Sequence, residues 1–234
     1  MVSAIIVAAG SSRRMGFDKL FAPLAGKPVL WHSLKAFSDC REVDEILIVT
    51  KDDGMDQVES LVAAQKLKKV TKVISGGAER HISVWNGLQA VNSRGSEYVA
   101  IHDGARPLTT PKLIKACLEL AELHGAACCA SQIPDTVKRA SIEQMITESV
   151  ERTGLWAMQT PQIFSSGLIL QAYAALMAKH EMVTDEVSAV QKLGKKIALL
   201  KNDDWNFKIT FPHDLELAEH VLELRAKKRK KVES

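Results

Sequence analysis

Short apolar runs alternate with stretches of helical spacing through the first half of the chain. Ala4 to Ala8, carrying Ile5, Ile6 and Val7, suits a strand buried on both faces of a parallel sheet. Val29 to Phe37 places Val29, Leu30, Leu34 and Phe37 on one helical face. Ile46 to Val49 is a second buried strand, closed by Lys51-Asp52-Asp53-Gly54. Val58 to Leu67 is an amphipathic helix, and Val70 to Ile74 a third strand. This β-α-β-α-β order predicts parallel strands joined by right-handed crossovers. Tyr98 to His102 is the next strand. A helix from Pro111 to His124 follows, with Thr110 as N-cap and Pro111 in the first turn. Ala126 to Ile133 is again a buried strand. The expected fold class is α/β: a doubly wound, mostly parallel Rossmann-like sheet.

The pattern then changes. Pro134-Asp135-Thr136-Val137-Lys138-Arg139 and Ser149-Val150-Glu151-Arg152-Thr153 are polar and β-branched, and they flank a turn region at 140–147. Two such segments predict a β-hairpin leaving the sheet. A hairpin cannot bury itself, so this arm, at about 134–155, is expected to pack on a second copy of the chain. Thr160-Pro161-Gln162 reads as a rigid edge segment. Leu168 to His180 is helical, Thr184 is the expected N-cap of a further helix, and Ile197 to Leu200 is a strand. Asn206 to Thr210 is expected to be the last strand, and Pro212 to open the C-terminal helix. Residues 1–234 are read as one domain.

Composition narrows the class. Of the 234 residues 46% are hydrophobic and 25% charged, which is ordinary for a soluble globular protein. The formal net charge is +3, and Lys227-Lys228-Arg229-Lys230-Lys231 more than accounts for it. The body is near neutral, so nucleic acid is not an expected partner. The basic run reads as a solvated helix end. Cys40, Cys117, Cys128 and Cys129 form no C-x-x-C pair and read as inert buried thiols of a reducing compartment. No stretch approaches the roughly 20 apolar residues that cross a bilayer. A cytoplasmic protein with no membrane partner is expected.

Candidate chemistry gathers where strands end. After the first strand, Ala9-Gly10-Ser11-Ser12 leaves backbone N–H groups open to a phosphate chain. Arg13, Arg14 and Lys19 add positive charge nearby. Neither the dinucleotide fingerprint nor the P-loop pattern is present, since Ser12 stands at the second glycine position and Phe17 follows Gly16. After the third strand, Ser75-Gly76-Gly77-Ala78-Glu79-Arg80 is a glycine loop ahead of a helix start that carries Ser83. Loops at the carboxyl ends of a doubly wound sheet face one crevice, and paired glycines let the backbone approach a flat base edge. Asp103 ends the fourth strand facing the same crevice and suits Mg²⁺, which takes one or two carboxylates and completes its shell with phosphates and waters. Arg106 either binds an anion or fixes its loop through an ion pair.

Ala8-Ala9-Gly10-Ser11-Ser12-Arg13-Arg14-Met15 with Lys19 resembles the opening of the sugar-nucleotidyltransferase-like superfamily, and alone leaves the branch open. Further blocks are G-G-x-x-R-x-x-S-V at Gly76 to Val84, H-D-x-A-R-P at His102 to Pro107 and D-T-x-K at Asp135 to Lys138. R-x-G-L-W at Arg152 to Trp156, Q-T-P-Q at Gln159 to Gln162, T-D-E at Thr184 to Glu186 and N-x-K-I-T at Asn206 to Thr210 follow in order. Together they resemble the 2-C-methyl-D-erythritol 4-phosphate cytidylyltransferase family. The resemblance implies transfer of CMP from CTP to methylerythritol phosphate in non-mevalonate isoprenoid synthesis, with Mg²⁺. It implies Arg14, Lys19 and Lys208 at the phosphates, with Gly77, Ser83 and the backbone of Ala8, Ala9 and Gly10 at the nucleotide. Asp103 would hold the metal. Arg106, Thr136, Arg152, Thr160, Thr184 and Thr210 would line the acceptor side. Thr136 and Arg152 would reach the neighbouring subunit of a homodimer. A ribitol 5-phosphate cytidylyltransferase of the same fold and a silent nucleotide-binding protein are the rival readings.

Overall fold

The computed structural model describes residues 1–10, 15–91 and 95–233, and the side chains of that range up to residue 228. Arg14, a predicted phosphate contact, lies outside the described residues.

Strand β1 (Val2–Val7) is followed by a two-residue pair, β2 (Pro23–Leu24) and β3 (Lys27–Pro28), and by α1 (Val29–Asp39). Then come β4 (Glu45–Thr50), α2 (Met55–Ala64), β5 (Val70–Ser75), α3 (Arg80–Ala90), β6 (Tyr98–Asp103), α4 (Pro111–His124) and β7 (Ala126–Gln132). A hairpin of β8 (Val137–Ala140) and β9 (Ile146–Val150) precedes β10 (Trp156–Ser165). The chain ends with α5 (Ser166–Ala178), α6 (Glu186–Gln191), β11 (Ala198–Lys201) and α7 (His213–Glu233).

The main sheet runs β11-β7-β10-β6-β1-β4-β5. All neighbours are parallel except β10, which is antiparallel to both β6 and β7. The sheet is therefore mixed. Successive residues of each central strand feed opposite faces. Ala4, Ile6, Ile46 and Ile48 pack with Leu34 and Phe37 of α1, Val58 of α2 and Ile114 of α4. Ile5, Leu47, Val49 and Ile101 pack with Val84 and Leu88 of α3 and with Tyr173 and Ile169 of α5. Each such buried side chain contributes about 1.5–3 kcal/mol, so the continuous Ile/Val runs specify two-sided burial. From β1 the chain winds to β4 and β5, then returns through α3 to β6 on the other side of β1. That reversal makes the carboxyl ends of β1 and β6 the topological switch point, where such sheets bind ligands.

Three expectations are corrected. Thr160-Pro161-Gln162 lies in β10, a central strand; Pro161 is accommodated because the ladder to β7 is interrupted between Met158 and Gln162. Asn206 to Thr210 forms no strand. It is a connection outside the sheet, anchored by one side chain and one backbone bond: Asn206 Nδ2 donates to the Thr160 carbonyl at 2.8 Å, and Ile209 N–H donates to Ala105 O at 2.8 Å. The N-cap of α6 is Asp185, not Thr184. Its carboxylate accepts from Ser188 N–H at 3.0 Å, while Thr184 is exposed one residue earlier. Thr110 caps α4 as expected, accepting from Leu113 N–H at 3.2 Å with Pro111 in the first turn.

Candidate active site

At the switch point a cavity of about 530 Å³ is lined by Val7 to Gly10, Met15, Lys19, Leu20, Gly77 to Arg80, Ser83, Asp103, Ala105, Lys208 and Thr210. Its walls come from distant parts of the chain, and the register explains the meeting. Val7 pairs with Asp103, so the first glycine turn and the acidic end of β6 leave the sheet side by side. β5 lies two strands away, and its loop bends back over them. Gly76 N–H donates to Thr50 O at 2.7 Å. A Cβ on Gly76 would stand 2.6 Å from Ala9 Cβ, so only glycine lets the two loops close on each other. Ser83, in the first turn of α3, holds this bend from beneath: Gly77 N–H donates to its hydroxyl at 3.0 Å, and the hydroxyl reaches Glu79 O at 3.2 Å.

Cations surround Asp103. Arg80 Nε donates to Oδ1 at 3.1 Å, Lys208 Nζ lies 3.1 Å from Oδ2, and Arg106 Nε lies 3.5 Å from Oδ2. Burial alone pushes the Asp103 carboxyl up. The charges of Arg80, Lys208 and Arg106 outweigh burial and hold it well below the usual carboxylate range. Asp103 is therefore an anion at any working pH. Lys19 lines the same cavity, with Nζ donating to Ile209 O at 2.8 Å, next to Lys208. Ile209 itself is packed with Leu24 and Val29 and with Ala218 and Val221 of α7, which fixes the segment carrying Lys208.

Arg106 serves the loop. Its Nη1 donates to Asn206 O at 2.8 Å, so it ties the 206–210 connection to β6 while pairing with Asp103. Thr160 is buried, and its hydroxyl is occupied by Asp103 N–H at 3.1 Å and His102 Nδ1 at 3.0 Å. Its position supports Asp103 from behind. Burial pushes the His102 imidazole down to about 3, which leaves it a neutral structural group.

Of the sequence candidates the structure gathers Ala8, Ala9, Gly10, Lys19, Gly77, Ser83, Asp103, Lys208 and Thr210 on one cavity. Thr136 and Arg152 are exposed and line no part of it, and neither does Thr184. Arg152 Nη1 donates to the Pro134 carbonyl, across the base of the arm. Sequence reasoning missed Arg80 and Glu186. Both stand inside quoted motifs, but nothing in one dimension joins a helix start near residue 80 to another near 186.

A glycine turn at a switch point, facing lysines and one buried carboxylate, defines a nucleotide-handling α/β enzyme. The family model for 2-C-methyl-D-erythritol 4-phosphate cytidylyltransferase matches residues 2–224. The chain is 41% identical over 228 residues to a protein of that name from Symbiobacterium thermophilum, covering 97% of this chain and 94% of that one. It is 40% identical over 223 residues to one from Lachnospira eligens, covering 93% and 97%. Among solved structures, a 4-diphosphocytidyl-2C-methyl-D-erythritol synthase from Anaerococcus prevotii superposes with a TM-score of 0.82 at 29% identity, covering 95% of this chain and 96% of that one. The Thermus thermophilus cytidylyltransferase superposes with 0.78 at 30%, covering 94% and 98%. The chain belongs to the 2-C-methyl-D-erythritol 4-phosphate cytidylyltransferase family.

Proposed function

We propose that the cavity at the switch point binds CTP and brings its α-phosphorus before the phosphate of 2-C-methyl-D-erythritol 4-phosphate. The chain transfers CMP to that alcohol phosphate, giving 4-diphosphocytidyl-2-C-methyl-D-erythritol and pyrophosphate in isoprenoid biosynthesis. The observation that carries the siting is the convergence of the Ala8–Gly10 turn, Lys19, Lys208 and Asp103 on one space.

Both reactants are polyanions, so their repulsion is the first barrier. Lys19 and Lys208 offset it and stabilise charge building on the α-phosphate oxygens, with turn amides beside them. Arg14 takes the same role in this reading. A phosphate monoester is largely dianionic at neutral pH, since its second pKa is about 6, so the nucleophile needs no strong base. Neutral His102 fits that account. Catalysis is then positioning plus electrostatics, without a covalent intermediate. The tight Gly76-Gly77 bend brings backbone groups against the cytosine edge, with Ser83 holding the bend.

Mg²⁺ fits this donor set. The described residues hold no group of three or more candidate ligands, but Mg²⁺ needs only one or two carboxylates beside phosphates and waters. Asp103 Oδ1 carries one cationic partner and keeps lone pairs to spare. The ion would neutralise phosphate charge there.

The acceptor side combines Thr210, in the cavity wall, and Arg106 beside it with Thr136 and Arg152 from the arm of a second copy; Thr160 and Thr184 were expected on the same side. The exposed position of Thr136 and Arg152 supports a homodimer, as do bare apolar side chains at the arm's tip: Ile142 97% exposed, Ile146 70%. Among the described residues no helix is long and apolar enough to cross a membrane. Four buried free thiols suit the cytoplasm.

Pyrophosphate release tests the reading. With Mg²⁺, CTP and methylerythritol phosphate should support turnover, while ribitol 5-phosphate or a purine triphosphate should not. Equal turnover with ribitol 5-phosphate would favour the rival acceptor. No release with any acceptor, despite CTP binding, would favour a silent binding protein.

A further inference from the structure

Behind the cavity wall lies a second carboxylate that the reaction scheme does not use. Glu186, in the first turn of α6, is fully buried. It takes both terminal nitrogens of Arg80: Nη1 to Oε1 at 2.6 Å and Nη2 to Oε2 at 3.2 Å. Tyr173 of α5 donates its hydroxyl to the same Oε1 at 3.1 Å. The remaining Nε of Arg80 is what reaches Asp103. Three helices of one layer, α3, α5 and α6, thus meet on a single Arg80–Glu186 pair whose arginine stands in the cavity wall.

A guanidinium next to a carboxylate ordinarily closes a two-bond fork with it. Here that fork is closed on Glu186, and Asp103 receives a single N–H. We propose that Glu186 is a positioning residue of the transfer reaction: it fixes Arg80 so that Asp103 is oriented by this cation without being capped by it. The division matters because Asp103 already meets Lys208 and Arg106. With Glu186 neutralised, Arg80 would be free to turn its whole fork onto Asp103. The cavity would gain one net positive charge and lose an accessible anion. CTP would then bind at least as well, yet in a less productive pose. A merely structural Glu186 makes the opposite forecast, in which binding and turnover fall together with stability.

The inference rests on the assignment of Asp103 to the nucleotide site. Glu186→Gln keeps the side chain's size and removes its charge. Turnover at saturating substrates should fall about 10- to 100-fold, the usual effect of losing a partner that orients a functional group. The CTP dissociation constant, measured by calorimetry without acceptor, should stay the same or drop. Arg80→Gln should lower turnover too, and adding Glu186→Gln to it should cost little more, because the second residue acts through the first. Unchanged turnover in folded Glu186→Gln, weaker CTP binding in it, or additive losses in the double variant would each overturn the proposal. If Glu186→Gln does not fold, Tyr173→Phe decides: it removes one hydrogen bond to the same carboxylate, and a turnover loss with CTP affinity kept is the supporting result, unchanged turnover the refuting one. Asp103→Asn separates the two levels. Full activity there would sink the site assignment itself, whereas loss there with none in Glu186→Gln would sink the positioning role alone.

Discussion

The cavity wall and the hairpin arm carry candidate substrate contacts in opposite states. In the wall the described charged and hydroxyl candidates are held. Asp103 meets three cations, Lys19 is bonded to Ile209 O, and Ser83 is bonded within the glycine loop. On the arm, Thr136 and Arg152 are exposed, and the ion pair between Arg139 and Glu148 stands in water, where such pairs contribute at most about 1 kcal/mol. The difference separates what this fold fixes from what it leaves open. In the proposed reading, charge stabilisation works best with groups fixed before the ligand arrives, and the switch point holds Asp103 and its cations in that way. Of the proposed acceptor contacts, Thr210 and Arg106 are fixed beside the cavity, while Thr136 and Arg152 are displayed on the arm without being placed there.

The sharpest way to break the comparison is to remove a wall cation. Lys19→Ala or Lys208→Ala should lower turnover by roughly 10²–10³-fold, the magnitude of a lost transition-state donor. Circular dichroism confirms the fold, and pyrophosphate release at saturating CTP gives the number. Near wild-type turnover in either folded variant would remove that lysine from the chemistry. Arg152→Ala should behave differently. The acceptor KM should rise about 10-fold or more, the value of a hydrogen bond to a charged group, while CTP binding is unaffected. A CTP defect instead would put the arm beside the nucleotide.

Mixing the two kinds of variant sharpens the contrast further. If each cavity takes Arg152 from a second copy, a re-equilibrated mixture of Lys19→Ala and Arg152→Ala chains forms hybrids with one intact site. Assayed with the acceptor well below its KM, activity should return to roughly a quarter of wild type, half the dimers carrying one good site of two. A mixture no more active than its components would mean that Arg152 serves its own chain or none.

The same contrast sets what was legible in the sequence. The glycine turn and Asp103 are legible because each follows a strand end, and strand ends follow from apolar runs such as Ile5-Ile6-Val7, whereas Lys208 is reached only through the family resemblance. The direction of β10 is not legible, because Thr160-Pro161 suggests an edge, and only the three-dimensional ladder shows where the missing N–H is tolerated. Asn206 to Thr210 has strand-like composition, but its hydrogen bonds go to Thr160 and Ala105 through side chain and turn. The bracing of Asp103 and His102 by the Thr160 hydroxyl has no local sequence signal, because the residues are 57 and 58 positions apart. The Arg80–Glu186 pair spans 106 residues, a separation that no local pattern encodes.

The smallest predicted effect distinguishes the two regions by pH. Burial pushes His102 down to about 3 from the ordinary imidazole value of about 6.5, so the folded chain keeps it neutral while the unfolded chain protonates it below about pH 6.5. Its contribution is fully present above that value and is lost as pH falls from 6.5 toward 3, because the unfolded state then binds the extra proton. The slope is at most about 1.4 kcal/mol per pH unit. Urea denaturation at pH 7, 6, 5 and 4 should show that decline, and His102→Gln should flatten it between pH 6 and 5. On the arm, a side-chain hydrogen bond from Ser141 lowers Glu143 and a backbone hydrogen bond from Thr153 lowers Glu151, but both are open to water and titrate below the ordinary carboxylate value. Their neutralisation should leave the slope between pH 6 and 5 untouched. Equal slopes for wild type and His102→Gln would show that the acid sensitivity lies elsewhere than behind the cavity wall.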